Sequence, residues 1–332
     1  MNLQQRIDIL VDLGAYMLSD EPGWMLAQQK AYAQNNWFTP EFTELAIRQI
    51  TAEFLDRSKL EAWTKKYAVP QENKRPLNFG IVMAGNIPLV GFHDFLSVFI
   101  SGHRQTIKPS SRDQVLITQL FDQVFKLDPE ARNLLSIADT LKGCDAYIAT
   151  GSNNSARYFE YYFSKYPHII RHNRTSVALL TGRENREELE KLADDVYQYF
   201  GLGCRNITQI HVPHGYDFAP LLNAFSKYNY LSDHHKYKNN YDYRLALLIL
   251  NKKFYMTNGS VLLTEDPSPF SAIGVLHYQF YDDPGQLYKQ LAADEGIQCI
   301  VGRGFIPFGQ AQKPGLTDYA DGADSMAFLL RQ

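Results

Sequence analysis

The sequence predicts an α/β protein of two lobes, the first built on a doubly wound parallel sheet and preceded by a helical N-terminal segment. Three observations lead there. The chain has 332 residues, more than one hydrophobic core usually serves. From about residue 76 onward, short apolar segments alternate with longer amphipathic ones. The apolar segments stop at Gly, Pro, Asn or Ser, as strands running into loops do.

Residues 3 to 65 read as helices, because Ile7, Leu10, Val11, Leu13 and Met17 keep a 3.6-residue spacing. Thr39-Pro40-Glu41 supplies a cap, a proline at the first helical position and an early acid for a second helix. "NFGIVMAGNIP" reads as a buried strand ending at Gly85-Asn86, and "LVGFHDFLSVFISG" as the helix after it. "RQTIKPS" is a strand ending at Lys108-Pro109, "SRDQVLITQLFDQVFKL" a helix, and "CDAYIATGS" a strand ending in Gly-Ser. That alternation implies a parallel sheet, whose ligands sit at the carboxyl ends of the strands. Here those ends carry Asn86, Lys108 and Thr150-Gly151-Ser152.

A second lobe starts near "RHNRTSVALLTG", a strand followed by the charged helix "RENREELEKLADDVYQYF". Beyond Cys204 the sequence reads as strand "ITQIHVP", a helical region from about Asp217, strand "RLALLIL" and strand "AIGVLHYQFY". The Gly- and Pro-rich tail reads as a closing segment that returns to the first lobe or reaches a neighbouring subunit.

A net charge of −3 leaves no basic field to attract nucleic acid. The cysteines Cys144, Cys204 and Cys299 form no C-x-x-C pair, which fits reduced thiols in the cytoplasm. No window reaches about 18 apolar residues and the N-terminus lacks a signal-peptide core, so neither a membrane span nor export is expected.

The stretch "GLGCRN" sets Cys204 between glycines and an Arg-Asn pair. It reads either as a nucleophile on an exposed turn, its thiol made acidic by Arg205 and by a helix starting just after it, or as a small buried hydrophobe. Thr150-Gly151-Ser152 offers helix-terminal amides to a phosphate or is an ordinary turn. Lys108 suits ribose hydroxyls or is a solvated loop charge, and Asn86 suits an oxyanion or plain turn chemistry. His234-His235 beside Asp233 lacks a third metal ligand at a useful spacing. His211 and His214 fit a site or the surface, and Tyr158, Tyr161, Tyr162 and Phe163 read as core.

Taken in order, "AGNIP", "GFHDFLSVFISG", "IKPSS", "ATGS", "RHNRTSVALL" and "GLGCRN" resemble the aldehyde dehydrogenase superfamily, and within it the acyl-CoA reductases related to the fatty-acyl reductase of bacterial bioluminescence. The resemblance runs from about residue 76 to the C-terminus. It implies two Rossmann-like doubly wound lobes: a helical segment 1–75, a dinucleotide-binding domain 76–172, a catalytic domain 173–305 and a closing segment 306–332. It implies that Cys204 accepts the acyl group, and that the Asn86 amide with the cysteine's own N–H stabilises the oxyanion. Lys108 would contact the adenine-side ribose, and Gly151 and Ser152, following Thr150, would lie on the cofactor pyrophosphate. Glu265 resembles the glutamate that touches the nicotinamide ribose, although the Phe and Gly of that element are missing.

Two departures from the superfamily pattern carry weight. The glutamate that activates water in hydrolytic members has no counterpart in "HIIRHNRT", so a thioester on Cys204 would be resolved by a thiol or by hydride. Ser111, beside Arg112, stands where NAD-preferring relatives carry a glutamate, which favours NADP(H) over NAD(H). The reading that results is an acylating aldehyde dehydrogenase that reduces an acyl thioester, delivered on CoA or a carrier, to an aldehyde. An acyl-transferase partner and a homodimer stay open. The rivals are a non-catalytic nucleotide-binding scaffold, and an aldehyde-oxidising dehydrogenase with His172 as surrogate base.

Overall fold

The computed structural model describes the backbone of residues 1–332 and every side chain but that of Asn153. The chain falls into two compact units, Met1–Asn173 with Pro314–Gln332, and Arg174–Lys313.

The first unit opens with four helices, α1 (Leu3–Met17), α2 (Pro22–Gln34), α3 (Pro40–Phe54) and α4 (Arg57–Lys66). Local chemistry starts each one. Asn2 and Gln5 exchange hydrogen bonds in a capping box at α1, Thr39 caps α3 ahead of Pro40, and Asp56 caps α4. Their apolar stripes, Ile7, Leu10, Leu13 and Met17 on α1 among them, close over the sheet that follows.

That sheet contains β1 (Asn78–Val82), β2 (Arg104–Lys108), β3 (Leu135–Ile137), β4 (Ala146–Thr150) and β5 (His168–Arg171), with α5 (Phe92–Ser101), α6 (Gln114–Leu127) and α7 (Asn153–Phe163) between them. The strands are parallel in the order β3-β2-β1-β4-β5. One sheet face, with Phe79, Ile81, Ile107 and Ile148, is buried in a single core with α1, α5 and α6. β3 and β5 have no strand signal of their own, since three and four residues are too few to show a period.

Residues 314–332 belong to this unit and end in α12 (Ser325–Leu330). Arg171 on β5 donates to both carboxylate oxygens of Asp94 on α5, at 2.6 and 2.5 Å, and to Ser325 at 2.9 Å. All three side chains are buried, so one guanidinium joins α5, β5 and α12.

The tyrosines expected in the core lie elsewhere. Tyr161 is 78% exposed, with Tyr158 and Tyr162 close behind, while Phe163 stacks on Tyr147 at 4.0 Å. A single helix face, marked by Ala156 and Phe163, meets β4 and β5, and the tyrosines fall on the opposite one.

The second unit contains β6 (Thr175–Leu179), α8 (Arg186–Tyr197), β7 (Ile207–Pro213), α9 (Ala219–Phe225), α10 (His235–Leu250), β8 (Met256–Thr257), β9 (Leu262–Glu265), β10 (Val275–Tyr281), α11 (Pro284–Ala293) and β11 (Ile297–Gly302). The sheet order is β11-β6-β7-β10-β9-β8, parallel except for β8. "RLALLIL" is the last half of α10 and not a strand. His234 caps this helix, Tyr237 and Tyr241 anchor it one turn apart, and Leu250 stands 77% exposed, where a central strand would be buried. No described helix is long and apolar enough to cross a membrane.

Candidate functional site

In the first unit the sheet order reverses between β1 and β4, and in open α/β sheets ligands bind beside such a switch, at the carboxyl ends of the strands. Three candidate loops lie there. Asn86 is half-buried in the turn after β1, Lys108 ends β2 and is exposed, and Thr150 ends β4. Ser152 caps α7 by accepting from the Ser155 N–H at 3.3 Å, so the amides of that helix start open at the same edge.

The first two loops are tied together. The Met83 N–H donates to the Lys108 carbonyl at 3.1 Å. A Cβ on Gly85 would stand 2.5 Å from Ser110 Oγ and 2.6 Å from its Cβ, so only glycine lets the turns approach this closely. Asp113, closing the turn that holds exposed Ser111 and Arg112, accepts from the Leu89 N–H at 2.7 Å, and Leu89 has a left-handed φ of 57°. Its other oxygen, Oδ1, has no hydrogen-bond partner, and burial pushes the carboxyl well above the usual range. Sequence reasoning missed Asp113, which looks like a routine acid at a helix start.

In the second unit, Cys204 lies on a half-buried turn that enters β7 from a short 3-10 helix, Gln198–Gly201. The expected helix after Cys204 is absent: β7 begins at Ile207, so no helix dipole acts there. Tyr199, Phe200 and Gly201 have φ values of 54°, 58° and 74°. Two consecutive aromatic residues in the left-handed region are strained and persist only when the surroundings hold them.

Asn206 supplies that restraint. Its side chain is fully buried, accepts from the Gly203 N–H at 2.8 Å, and donates to the carbonyls of Asp195, Val196 and Gln198 at 3.0, 3.4 and 2.8 Å. Ser176 on β6 donates to the Cys204 carbonyl at 3.0 Å and lies 3.1 Å from Cys299 Sγ. The Asp195 carboxylate accepts from the Gly309 and Ala311 N–H groups at 2.7 and 3.0 Å, and Arg205 reaches the Ala311 carbonyl at 3.5 Å. Burial pushes the Asp195 carboxyl up to about 7. Apart from an Asn two residues after the cysteine, the sequence carried no signal for this arrangement.

Glu265 is not brought to that turn. It ends β9, two strands from β7, and the register Tyr278↔Glu265 and Tyr278↔Ile210 sets it level with Ile210. There it lines a cavity of 620 Å³ with Arg244, Leu247, Phe254 and Phe270. His172, in the first unit, is exposed and lies 3.5 Å from Glu160. His214 is exposed, whereas His211 on β7 is buried with neither ring nitrogen partnered, and burial lowers it to about 4. Among the described residues no group of three His, Cys, Asp or Glu could hold a metal.

Residues 29–217 match the family model described as acyl-CoA reductase (LuxC). The chain belongs to that family. The fold is that of the aldehyde dehydrogenases. An NADP-dependent enzyme of E. coli superposes with a TM-score of 0.66 at 10% identity, over 91% of this chain and 73% of that one. Aldehyde dehydrogenase 21 of Physcomitrella patens, solved with the reaction product succinate, gives 0.65 at 11% identity over 91% and 74%. AldH of Staphylococcus aureus gives 0.56 at 16% identity over 90% and 76%. No curated protein matches the chain. Membership of the family makes this an aldehyde-related oxidoreductase.

Proposed function

We propose that the protein reduces an acyl thioester to an aldehyde with a nicotinamide cofactor, through an acyl group held on Cys204. The observation that carries this reading is the Cys204 turn: a half-buried thiol on a strained backbone held by a fully bonded, uncharged side chain. The Cys204 thiolate attacks the thioester carbon, the carbon–sulfur bond to CoA or a carrier breaks, and that thiol leaves with the proton. The new bond is again a thioester, so the carbonyl stays activated.

The donor set at the edge of the first unit fits a dinucleotide. Ser152 and the start of α7 suit the pyrophosphate, Lys108 the adenine-side ribose, and Ser111 with Arg112 a 2′-phosphate, since the exposed residue at 111 is neutral and Asp113 is turned inward to the Leu89 N–H. A bound nicotinamide would supply hydride to the acyl carbon. The Asn86 carboxamide would donate to the carbonyl oxygen as charge develops on it. When the aldehyde leaves, Cys204 recovers its thiol. The stretch His168–Thr175 offers no carboxylate to steer water, and its Arg171 is engaged with Asp94. Reduced thiols of this kind suit the cytoplasm.

The test is mass spectrometry after incubation with a panel of acyl-CoAs: an acyl increment on Cys204 is expected, and none on Cys144 or Cys299. A Cys204→Ala protein that reduces acyl-CoA at the native rate would end the proposal. For the cofactor, NADPH should bind at least as tightly as NADH, and binding of NADH alone would reject the 2′-phosphate assignment.

A further inference from the structure

We infer that Asn206 is the positioning residue of the Cys204 turn, with Ser176 as its second restraint; the inference rests on the acyl-transfer reading of Cys204. One carboxamide engages its oxygen and both its N–H groups with backbone within eleven residues of itself. Its oxygen takes the Gly203 N–H, and its nitrogen bridges the last carbonyls of α8 and the first residue of the 3-10 helix. The end of α8 is thereby fixed to the Leu202–Gly203 peptide, across the left-handed Tyr199-Phe200-Gly201 run. From the other side, the Ser176 hydroxyl holds the Cys204 carbonyl at 3.0 Å, and Ser176 is itself fully buried. The Leu202–Gly203 and Cys204–Arg205 peptides are thus held by side chains, and the Gly203 carbonyl between them accepts from the Asn206 N–H at 3.1 Å, which restrains the rotations that would swing the thiol away.

The chemistry requires such restraint. A nucleophile must be held within about 0.5 Å of its productive position, and a displacement of about 1 Å costs on the order of 100-fold in rate. The amide is suited to the task because it is neutral and both donor and acceptor. A carboxylate of the same shape could accept from Gly203 but would face three carbonyls with no proton to offer.

The test compares Asn206→Asp and Ser176→Ala with the parent protein, with iodoacetamide alkylation of Cys204, Cys144 and Cys299 followed across pH and turnover measured with acyl-CoA and NADPH. For Asn206→Asp, kcat should fall on the order of 100-fold while the KM for NADPH stays within about twofold. The alkylation profile of Cys204 should shift while those of the other two thiols stay in place. Ser176→Ala, which changes little volume, should shift the Cys204 profile with about a tenfold loss in kcat while Cys144 stays in place; Cys144 is the control for this variant, because the lost hydroxyl lies 3.1 Å from Cys299 Sγ. Unchanged Cys204 profiles in the folded variants, or a uniform rise at all three cysteines as general loosening would produce, overturns the inference. If Asn206→Asp does not fold, the Ser176→Ala profile decides. If Cys204 of the parent takes up no acyl group, the functional proposal fails, and the alkylation profiles still test Asn206.

Discussion

The two units are both parallel sheets crossed by helices, yet they set their candidate residues at opposite ends. In the first, Asn86, Lys108 and Ser152 follow the carboxyl ends of β1, β2 and β4. In the second, Cys204 lies at the amino-terminal entry to β7. The restraints differ as well. The Asn86 turn is held by Asp113, a buried carboxyl with one oxygen unpartnered, and the Cys204 turn by Asn206, an amide with both its oxygen and its nitrogen engaged. The sheet anchors both loops at one end only, since Asn86 follows β1 and Cys204 precedes β7, and the difference lies in how completely a buried side chain fixes the rest of each turn.

The largest expected effect that would break this contrast is on stability in Asn206→Asp. Replacing an amide nitrogen that donates to backbone carbonyls with a buried charge should cost about 3–5 kcal/mol in urea unfolding at pH 8. An unchanged midpoint would mean that the turn holds itself.

Next come two buried titratable groups of the second unit, which act in opposite directions. The Asp195 carboxyl is raised to about 7, so the folded state keeps a proton that the unfolded chain releases; its contribution is full below about pH 4 and lost as pH rises through 7. His211 is lowered to about 4, so its contribution is full above about pH 6.5 and lost as pH falls through 4. Asp195→Asn should therefore leave stability rising by about 3 kcal/mol between pH 4 and 6.5, and His211→Leu should leave it falling by about as much, so that the two curves diverge by about 6 kcal/mol across the window. Parallel curves for the two variants would refute the opposition.

A smaller effect is expected in the first unit. Gly85→Ala sets a methyl against Ser110 and should cost about 1–3 kcal/mol, with weaker cofactor binding in titration. Full stability together with native affinity would show that the two turns can part freely.

The smallest effect sharpens the contrast. Asp113→Asn keeps an acceptor for the Leu89 N–H and removes the cost of a buried carboxyl, so stability at pH 7 should change by no more than about 1 kcal/mol. A loss as large as that of Asn206→Asp would make the two restraints equivalent.

The α/β class was legible because apolar segments alternate with amphipathic ones, and β1, β2 and β4 each end in a marked turn. β3 escaped notice because Leu135–Ile137 is too short to show a period. "RLALLIL" misled because the last two turns of α10 are apolar all round and so have the composition of a strand, and only their continuity with Tyr237 and Tyr241 reveals the helical repeat. The loops carrying Asn86, Lys108 and Ser152 could be located from strand ends alone. What holds them, and what holds Cys204, could not: Asp113 reaches Leu89 across 24 positions and Ser176 reaches Cys204 across 28, and no local pattern records such distant pairs, while Asn206, though near Cys204 in sequence, finds its partners only once the chain bends at Tyr199 and Phe200.

Residues 314–332 complete a unit that begins at Met1, with the whole of Arg174–Lys313 inserted between its two parts. During translation, the Arg171 guanidinium therefore waits for Ser325, the better part of half the chain later, before its buried partners are assembled. The face of α5 that α12 covers, and the last partner of the buried guanidinium, are therefore completed only after synthesis has passed residue 325.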